Sequence, residues 1–381
     1  MKCLQVFEPG VDGVFRHVEG LARFLFERGH RVGLSYSSKR GSAGLNMLVS
    51  EFRSTGEPVV DMGVGNAPCL GDARAFCRLA NVVKTWRPAV IHAHSSKAGV
   101  LGRVVGRIFG VPTFYTAHAY YGMGQTKAAA TFFFNAVERA FAPLAVTINI
   151  SADEAAFARD LLGVKPFKQA IIHNPTHPDM FVPASREERT LARRRLGVAE
   201  DAVVLGSLGR LTLQKDPATL YRAIAKVACD YPSLLLLHIG EGPLEQELNA
   251  LARELGVGDR IKKIPYQDQP PHFYKALDAV VMSSTYEAGW PIVILEAMSC
   301  GLPFGSTTPR GMSDIGSSGL SHCWTARVGD ADGLAWAIAR LIDDLRTERT
   351  SNHRAVIQAR FTPEHCYGAV CDLYEKAIST A

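Results

Sequence analysis

The sequence predicts an α/β protein made of two doubly wound domains in series. Apolar strands alternate with amphipathic helices along both halves of the chain, which is the pattern of parallel sheets covered on both faces. Residues 173–185 interrupt this pattern with three prolines and no helical period, and the alternation restarts after them. We therefore expect domains at 1–180 and 181–361, followed by a C-terminal helix in 362–381.

The first half opens with a strand, a loop, a helix and a second strand. The apolar run 2–7 predicts a buried strand, and the helical spacing of residues 14–28 ends at Gly29. A strand at 31–36 completes a unit of about 35 residues, the size of a βαβ crossover. The pattern then predicts helices at 72–85, 97–109, 126–141 and 151–162, and strands at 89–93, 112–116, 144–148 and 168–172.

The second half repeats the alternation. Doubly wound sheets bind ligands at the carboxyl ends of their strands, so the loops that follow strands are the candidate functional segments. The predicted strands are 202–208, 233–239, 260–264, 279–282 and 303–306, and the helices are 216–228, 243–256, 293–299, 330–344 and 363–379. The loops that follow strands are 8–13, 92–97, 118–124, 209–215, 240–243 and 283–292.

Charge is distributed unevenly along the chain. Residues 1–150 carry 17 Lys and Arg against 9 Asp and Glu, a balance of +8, and the remainder carries −3. A basic first half suits acidic head groups, pyrophosphates or a nucleic-acid backbone. Eight cysteines without a C-x-x-C pair indicate reduced thiols in a cytosolic protein. The N-terminus predicts a strand and not a signal peptide, and no apolar run is long enough to span a bilayer.

A basic loop follows the strand at 202–208. Gly209 and Arg210 leave the strand, and Lys215 lies just before the next helix. Cations beside a helix N-terminus form a strong anion site, above all for a diphosphate. An ordinary solvated loop explains the same residues, and the two interpretations stay open at this point.

A second loop leads from the strand at 279–282 into a helix. Backbone N–H groups at Gly289–Val293 would point toward an anion, and Pro291 suits the first turn of the helix. Glu287 precedes this turn. Glu296 lies one turn into the helix among apolar residues, where a carboxylate requires a partner such as the two vicinal hydroxyls of a ribose. The alternative for Glu296 is an exposed helix charge.

These runs resemble a known family. Three runs are similar to the donor half of the family-4 retaining glycosyltransferases of the GT-B fold. They are, in order, GRL with QKD, HIGEGP, and YEAGWPIVILEAMSCGLPF. In the first half, LARFLFERGHRV and HAHSSKAGVLGRVVGRIFGVPTFYTAHAY occur in the family's order. The resemblance covers nearly the whole chain. It implies two facing Rossmann-like domains, with the C-terminal helix returning to the N-terminal domain.

The resemblance also implies roles for individual residues. Arg210 and Lys215 match the basic pair that neutralises the donor diphosphate. Glu296 matches the carboxylate that binds the ribose hydroxyls, and Glu287 matches the carboxylate that contacts the donor sugar. His118 matches the histidine near the reaction centre. The remaining donor-site positions implied are Gly13, Gly209, Gly240, Gly242, Gly289, Trp290, Pro291 and Ile292.

Two positions depart from the family pattern. Eight residues separate Glu287 from Glu296, where the family has seven, and Ala288 has the place of an insertion. Asp12 and Gly13 stand where the family has a Gly-Gly pair. Because an aspartate beside a diphosphate would repel it, Asp12 is assigned to the acceptor side.

The acceptor is less well defined by the sequence. The helix start at Ser95, Ser96 and Lys97 could bind an acceptor phosphate. Three consecutive phenylalanines within 131–134 indicate either core packing or an apolar lip that touches lipid. With Lys127, Arg139, Arg103 and Arg107 nearby in sequence, the second interpretation favours a polyprenyl-pyrophosphate-linked acceptor at an anionic membrane surface.

No cofactor and no metal are expected. His92 and His94 lie on one face of a strand, but no carboxylate or cysteine motif accompanies them, and the family usually needs no metal. The nucleotide-sugar is a substrate. An NAD-dependent enzyme is disfavoured because Glu245 occupies the third glycine position of the dinucleotide fingerprint. A nucleic-acid partner is disfavoured because no aromatic-basic motif occurs.

The prediction is therefore a retaining hexosyltransferase of bacterial exopolysaccharide or lipopolysaccharide biosynthesis. It would move a sugar from a nucleotide diphosphate donor, with UDP favoured over GDP, to a hydroxyl of a glycan or lipid-linked acceptor. We expect a cytoplasmic protein at the inner face of the membrane. A sugar-nucleotide-binding protein, or an epimerase of the same fold without transfer activity, is the alternative.

Overall fold

The computed structural model describes residues 1–65, 69–124, 128–265, 270–315, 319–347 and 351–380. The chain divides into two compact units. The N-terminal unit comprises Met1–Asn174 with Pro363–Ala381, and the C-terminal unit comprises Pro175–Thr362. The first division lies inside the predicted linker at 173–185, six residues before the predicted boundary at 180.

The N-terminal unit is a seven-stranded parallel sheet covered by helices, which confirms the predicted fold class. Its strands are β1 (Lys2–Phe7), β2 (Arg31–Tyr36), β3 (Val59–Asp61), β4 (Val90–His94), β5 (Thr113–Thr116), β6 (Val146–Asn149) and β7 (Gln169–Ile171). They lie in the order β3-β2-β1-β4-β5-β6-β7. The helices are α1 (Asp12–Glu27), α2 (Ala43–Ser54), α3 (Gly71–Trp86), α4 (Ser96–Phe109), α5 (Ala128–Phe141) and α6 (Ala152–Asp160).

The C-terminal unit repeats this design with a six-stranded parallel sheet. Its strands are β8 (Val203–Leu208), β9 (Leu234–Ile239), β10 (Ile261–Ile264), β11 (Ala279–Met282), β12 (Phe304–Thr307) and β13 (Cys323–Ala326), in the order β10-β9-β8-β11-β12-β13. The helices are α7 (Arg186–Arg195), α8 (Pro217–Val227), α9 (Glu245–Glu254), α10 (Pro270–Tyr274), α11 (Ile292–Ser299), α12 (Ala331–Arg346) and α13 (His353–Arg360).

The last helix, α14 (Pro363–Ser379), packs on the N-terminal unit, as predicted. Tyr367, Val370 and Tyr374 are buried in the same apolar cluster as side chains of β1 and α1. The Tyr374 hydroxyl lies 2.6 Å from Nδ1 of His92 on β4. The helix is therefore joined to the sheet by a buried polar contact as well as by apolar packing.

Each sheet contains one point where the strand order reverses. In the N-terminal unit β1 pairs with β4, and Phe7 lies opposite His94 at their carboxyl ends. In the C-terminal unit β8 pairs with β11, with Leu205 opposite Ala279. The loops that follow such a pair of strands diverge and leave a crevice, which is where doubly wound sheets bind ligands.

The sequence analysis missed several elements. It assigned neither α2 nor β3, and it missed α7, α10, β13 and α13. The helix α7 has the sequence REERTLARRR, so it lacks the apolar stripe on which the assignments relied. Its start is nevertheless encoded by a capping box between Ser185 and Glu188. Among the described residues, no helix is both long enough and apolar enough to span a membrane.

Candidate active site

Two loops of the C-terminal unit are fastened to each other at the reversal of its strand order. One is 209–216 after β8, and the other is 283–291 after β11. The Thr285 amide donates to the Gln214 carbonyl at 2.8 Å, and the Ser283 hydroxyl lies 2.9 Å from the Lys215 carbonyl oxygen. The Gln214 side-chain amide donates to the Tyr286 carbonyl at 3.2 Å. Backbone and side-chain bonds therefore fix the spacing of the two loops.

An ion pair connects the predicted diphosphate and sugar residues. Lys215 Nζ donates to Glu287 Oε1, and the Glu287 side chain is buried. The Glu287 amide donates to the Arg310 carbonyl at 2.9 Å. Gly311 has a φ of +100°, and a Cβ there would lie 2.1 Å from the Glu287 carbonyl oxygen. The glycine thus admits the close approach of 308–315, a loop after β12 that the sequence analysis did not consider.

The N-terminus of α11 follows this loop. The Ile294 and Leu295 amides donate to the Pro291 carbonyl at 2.9 and 3.1 Å. The earlier amide of Ile292 has no acceptor within the helix, as in any first turn, and the helix dipole adds positive potential there. Gly289 is buried, and the Trp290 indole donates to Asp314 Oδ1 at 3.0 Å. Trp290 therefore supports the loop from the protein interior.

Glu296 is the most deeply buried of the predicted charged donor residues. Its side chain is only 1% exposed, and its Oε2 accepts a hydrogen bond from the Tyr274 hydroxyl at 2.6 Å. The interpretation of Glu296 as an exposed helix charge is therefore wrong. Tyr274 ends α10 and was missed, because nothing in its sequence neighbourhood marks it as a partner of a residue 22 positions later.

The three glycines of the donor loops meet beside β8 and β9. Gly240 has a φ of +144°, and a Cβ there would lie 2.1 Å from the Gly209 carbonyl oxygen. Gly242 lies against the main chain of Leu211, whose amide donates to the Glu241 carbonyl at 2.9 Å. Packing of the two loops alone therefore explains Gly240. The Arg210 side chain is exposed on this edge of the unit.

In the N-terminal unit, the predicted loop before α1 places Gly13 in the first turn of that helix. Gly13 is exposed, and a Cβ there would have no atom within 4 Å. Asp12 begins the helix, and its side chain lies outside the described part of the structure. Space above Gly13 is thus open to a ligand.

The predicted acceptor-phosphate site at the start of α4 has acidic neighbours. The Ser95 hydroxyl donates to Glu8 Oε2 at 3.3 Å, and Lys97 Nζ donates to Asp72 Oδ1 at 3.0 Å. Ser96 is the first residue of the helix. The carboxylate of Glu8, a residue that the sequence analysis missed, opposes an anion at this helix start.

His118 follows β5 in a strained turn. His118 and Ala119 have φ values of +55° and +88°, a conformation uncommon outside glycine. The buried Glu154 stabilises this turn, since its Oε1 accepts from the Ala119 amide at 2.9 Å and its Oε2 from the Ile150 amide at 2.7 Å. The Ser151 hydroxyl accepts from the Glu154 amide at 3.1 Å and so caps the N-terminus of α6.

The three phenylalanines of α5 do not form a core. Phe132 and Phe133 are 78% and 55% exposed, so the core-packing interpretation is wrong for both. Phe134 packs on Tyr121, with ring centroids 4.5 Å apart.

The basic residues predicted to accompany the phenylalanines differ in their placement. Arg139 and Arg107 are exposed. Arg103 is not a surface cation, because it is buried against Tyr115 and pairs with Glu138 at 2.9 Å. Lys127 lies outside the described residues.

Two groups of side chains among the described residues have metal-ligand spacing. One is His17, His94 and His118, and the other is His30, Cys371 and Glu375. His92, by contrast, has both ring nitrogens within hydrogen-bond distance of other side chains, Tyr374 at 2.6 Å and Thr116 at 2.9 Å.

A pH test follows from Glu154. Burial raises the pKa of its carboxyl to about 7, against an ordinary value of 4.5. The folded form thus holds the proton more tightly than the unfolded chain. The resulting stabilisation is complete below about pH 4.5 and is lost as the pH rises through 7. Relative to Glu154→Gln, the wild type should lose roughly 2–3 kcal/mol of unfolding free energy between pH 5 and pH 8.

Urea unfolding followed by circular dichroism at several pH values measures this difference. The substitution also alters the hydrogen bonds to Ile150 and Ala119, which adds an offset that does not depend on pH. A difference between the two proteins that stays constant from pH 5 to pH 8 would contradict the assignment.

Comparison with known proteins identifies the family of the chain. A family model described as Glycosyltransferase Family 4 matches residues 11–180, and one described as Glycosyl transferases group 1 matches residues 188–359. The chain is 26% identical over 285 residues to the UDP-Gal:alpha-D-GlcNAc-diphosphoundecaprenol alpha-1,3-galactosyltransferase of Escherichia coli, covering 73% of each protein. It is 31% identical over 252 residues to the D-inositol 3-phosphate glycosyltransferase of Geodermatophilus obscurus, covering 61% of this chain and 54% of that one.

Among solved structures, the Anabaena protein HepE in complex with UDP has the same fold. The TM-score is 0.80 at 22% sequence identity, and the alignment covers 99% of this chain and 100% of HepE. The two family models together account for both units, and the fold matches along the chain. The chain therefore belongs to the family-4 glycosyltransferases, a retaining family of the GT-B fold, and it is a nucleotide-sugar-dependent glycosyltransferase.

Proposed function

We propose that this enzyme moves a sugar from a UDP-sugar to a hydroxyl of a lipid-linked glycan acceptor in cell-surface polysaccharide biosynthesis. The observation that carries the donor half of this proposal is the partly buried ion pair between Lys215 and Glu287. It joins a cation and a carboxylate on two loops that are fastened together at the carboxyl edge of the sheet. A diphosphate and the sugar attached to it need these two groups side by side.

Lys215 and Arg210 neutralise the leaving diphosphate in this proposal. In the absence of donor Lys215 is held by Glu287, so the donor phosphate competes for a lysine that is already positioned. The first amides of α11 add donors at the same edge. Each cation contributes about 2–4 kcal/mol of stabilisation to the charge that develops on the leaving oxygen.

Glu287, released from Lys215, accepts hydrogen bonds from hydroxyls of the donor sugar. The extra residue at Ala288 does not separate Glu287 from the basic loop, since Lys215 reaches it. Glu296 accepts from the two ribose hydroxyls, and Tyr274 holds its carboxylate in place. The glycine-bordered edge formed by Gly209, Gly240 and Gly242 lets the nucleotide approach the main chain.

The transfer follows the retaining course of the family. The acceptor oxygen attacks the anomeric carbon on the face from which the diphosphate leaves, and the leaving phosphate oxygen takes the acceptor proton. No protein base is required for this step. His118 binds the donor sugar, and its turn is fixed by Glu154.

UDP is favoured as the carrier because the galactosyltransferase of Escherichia coli is named for UDP-Gal and HepE was solved with UDP. The same galactosyltransferase is named for a diphosphoundecaprenol acceptor, which supports a lipid-linked acceptor here. The exposed Phe132 and Phe133 on α5 support an apolar contact surface in the N-terminal unit. A GDP-sugar or a soluble glycan is the competing outcome of the tests below.

The double substitution Arg210→Ala with Lys215→Ala tests the diphosphate assignment. We expect kcat to fall by at least about 10³-fold, because each lost cation removes stabilisation of the leaving group. Turnover of UDP-sugars and GDP-sugars is followed by release of the nucleoside diphosphate. The matched control is Lys226→Ala, which removes an exposed lysine at the far end of α8 that pairs with Asp332. Near-wild-type turnover in the double variant, with an intact circular dichroism spectrum, refutes the assignment.

Glu296→Gln tests the ribose contact. We expect the Kd for UDP to rise about tenfold or more, because a carboxylate that accepts from a hydroxyl pair is replaced by a neutral amide. Calorimetry with UDP and 2′-deoxy-UDP makes the test specific. The wild type should discriminate between the two ligands, and Glu296→Gln should bind both alike. If the variant still discriminates fully between UDP and 2′-deoxy-UDP, another residue binds the ribose hydroxyls.

Phe132→Ser with Phe133→Ser tests the lipid-linked acceptor. Burial of a phenylalanine in an apolar phase contributes on the order of 1.5–3 kcal/mol when complete, so vesicle binding should weaken roughly tenfold or more. The KM for a lipid-linked acceptor should rise, and the KM for the UDP-sugar should not change. Phe167→Ser, at a phenylalanine that is 77% exposed outside α5, is the matched control. Equal vesicle binding by both variants contradicts the proposed surface.

A further inference from the structure

The register of the N-terminal sheet brings a glutamine to the histidines at the strand ends. β1 and β4 are paired with Gln5 opposite His92 and Phe7 opposite His94. Side chains two positions apart on a strand project from the same face, so Gln5, His92 and His94 share one face of the sheet. All three side chains are fully buried. The sequence analysis assigned no role to Gln5.

Two hydrogen-bond contacts connect Gln5 to His118. His94 Nε2 lies 2.9 Å from Gln5 Oε1, and His94 Nδ1 lies 3.1 Å from His118 Nε2. Both nitrogens of His94 are therefore engaged. One faces an amide oxygen on β1, and the other faces the imidazole that follows β5. Gln5, His94 and His118 thus form a chain of polar contacts across three neighbouring strands of the sheet.

The amide oxygen determines where the protons of this chain lie. Burial lowers the pKa of His94 and of His118 well below the usual value, so each ring is neutral at pH 7 and carries one N–H group. An amide oxygen only accepts, so the His94 proton lies on Nε2. His94 Nδ1 then keeps a lone pair and accepts from His118 Nε2. The other nitrogen of His118, Nδ1, is left without a proton.

This Nδ1 atom is available to a ligand. His118 is only partly buried, and its Nδ1 makes no hydrogen bond to a described residue. The neighbouring His17 ring lies edge-on to His118, with centroids 4.8 Å apart. Burial lowers the pKa of His17 to about 4, and its Nδ1 lies 2.9 Å from Asn174 Oδ1, so the single proton of this ring lies on Nδ1. His17 Nε2 likewise keeps a lone pair, with no partner among the described residues.

The two rings therefore call for a ligand that donates a hydrogen bond. A hydroxyl group can donate to His118 Nδ1, whereas a phosphate oxygen at pH 7 brings mainly lone pairs of its own. Two lone pairs that face each other away from bulk water leave both groups without a hydrogen bond, which is unfavourable. This part of the N-terminal unit thus suits a neutral sugar better than an anion.

We propose that Gln5 and His94 are positioning residues that hold His118 in the tautomer with its lone pair on Nδ1, so that His118 accepts a hydrogen bond from a sugar hydroxyl. In assigning that hydroxyl to the sugar of the nucleotide-sugar, the inference rests on the proposed function. The placement of the protons rests only on contacts within the N-terminal unit. Gln5 is fully buried and acts through His94.

Nuclear magnetic resonance of protein labelled with ¹⁵N in its histidine rings tests the tautomer without any substrate. At pH 7 we expect His118 to show a protonated Nε2 and an unprotonated Nδ1, and His118→Asn assigns these resonances by removing them. Gln5→Met conserves volume and removes the amide oxygen. The His94 proton can then move to Nδ1 and donate to His118 Nε2, so His118 should change to the tautomer protonated at Nδ1.

Gln169→Met is the matched control for this substitution. Gln169 is a glutamine of β7 in the same sheet, and its side chain contacts Asn149 and Val164 instead of a histidine. The His118 resonances of this variant should match those of the wild type.

Calorimetry with UDP-galactose and its monodeoxyfluoro analogues tests the contact with the sugar. Fluorine cannot donate a hydrogen bond, so the analogue fluorinated at the hydroxyl that faces His118 should bind the wild type about fivefold more weakly than UDP-galactose. In Gln5→Met this penalty should largely disappear, because His118 Nδ1 then carries a proton and needs no donor. The affinity for UDP itself should be the same in both proteins.

Three results would overturn the proposal. They are a wild-type His118 protonated at Nδ1, a His118 tautomer that stays unchanged in folded Gln5→Met, and fluorine penalties that are equal in the wild type and Gln5→Met. If Gln5→Met does not fold, the wild-type spectrum still decides between the two tautomers. If the wild type binds no UDP-galactose, the proposed donor is contradicted, and the spectra alone decide whether Gln5 positions His118.

Discussion

β8 and β11 lie side by side in the C-terminal sheet, although the chain visits β9 and β10 between them. Because the connections from these two strands turn to opposite sides, their loops separate above the sheet edge. The hydrogen bonds from Thr285 and Ser283 then draw the two loops to a fixed spacing. The ion pair between Lys215 and Glu287, the exposed Arg210 and the start of α11 all depend on this one feature of topology.

In the N-terminal unit, the surroundings of His118 are formed by buried uncharged side chains rather than by charged ones. Its net positive charge belongs mainly to exposed arginines and lysines, whereas the residues around His118 are uncharged imidazoles and amides. Glu154 is the exception, and it is held by two main-chain N–H groups instead of a cation. The surroundings of His118 are thus weakly polar, whereas Arg210 and Lys215 lie on a strand-end loop of the C-terminal unit.

Local patterns were enough to predict eleven of the thirteen described strands and the strand-end loops. Lys215, Glu287 and Glu296 follow strands or begin helices, so their placement on one sheet edge follows from strand order. Partners far away in sequence could not be predicted. Tyr274 hydrogen-bonds to Glu296, and Asn174 lies within hydrogen-bond distance of His17, 157 positions away in sequence. No local sequence signal connects either pair.

The errors have physical causes as well. Arginine-rich α7 has almost no apolar face, so hydrophobic periodicity does not predict this helix. Three adjacent phenylalanines point in different directions around a helix, and only the packing of α5 determines that Phe132 and Phe133 face outward. Arg103 was counted as a surface charge because its partner Glu138 lies 35 positions away on another helix. Net charge along a sequence therefore overstates the charge that a surface presents.

The return of α14 to the N-terminal unit has a consequence for synthesis. Residues Pro175–Thr362 form a contiguous unit that can begin to fold as soon as they have left the ribosome. The N-terminal unit, although made first, lacks Tyr367, Val370 and Tyr374 in its core until the whole of the second unit has been translated. The nascent first unit would therefore expose an apolar groove along α1 and the sheet for most of translation. During that interval only another protein, such as a chaperone, can cover the groove, and the last helix covers it once it has been made.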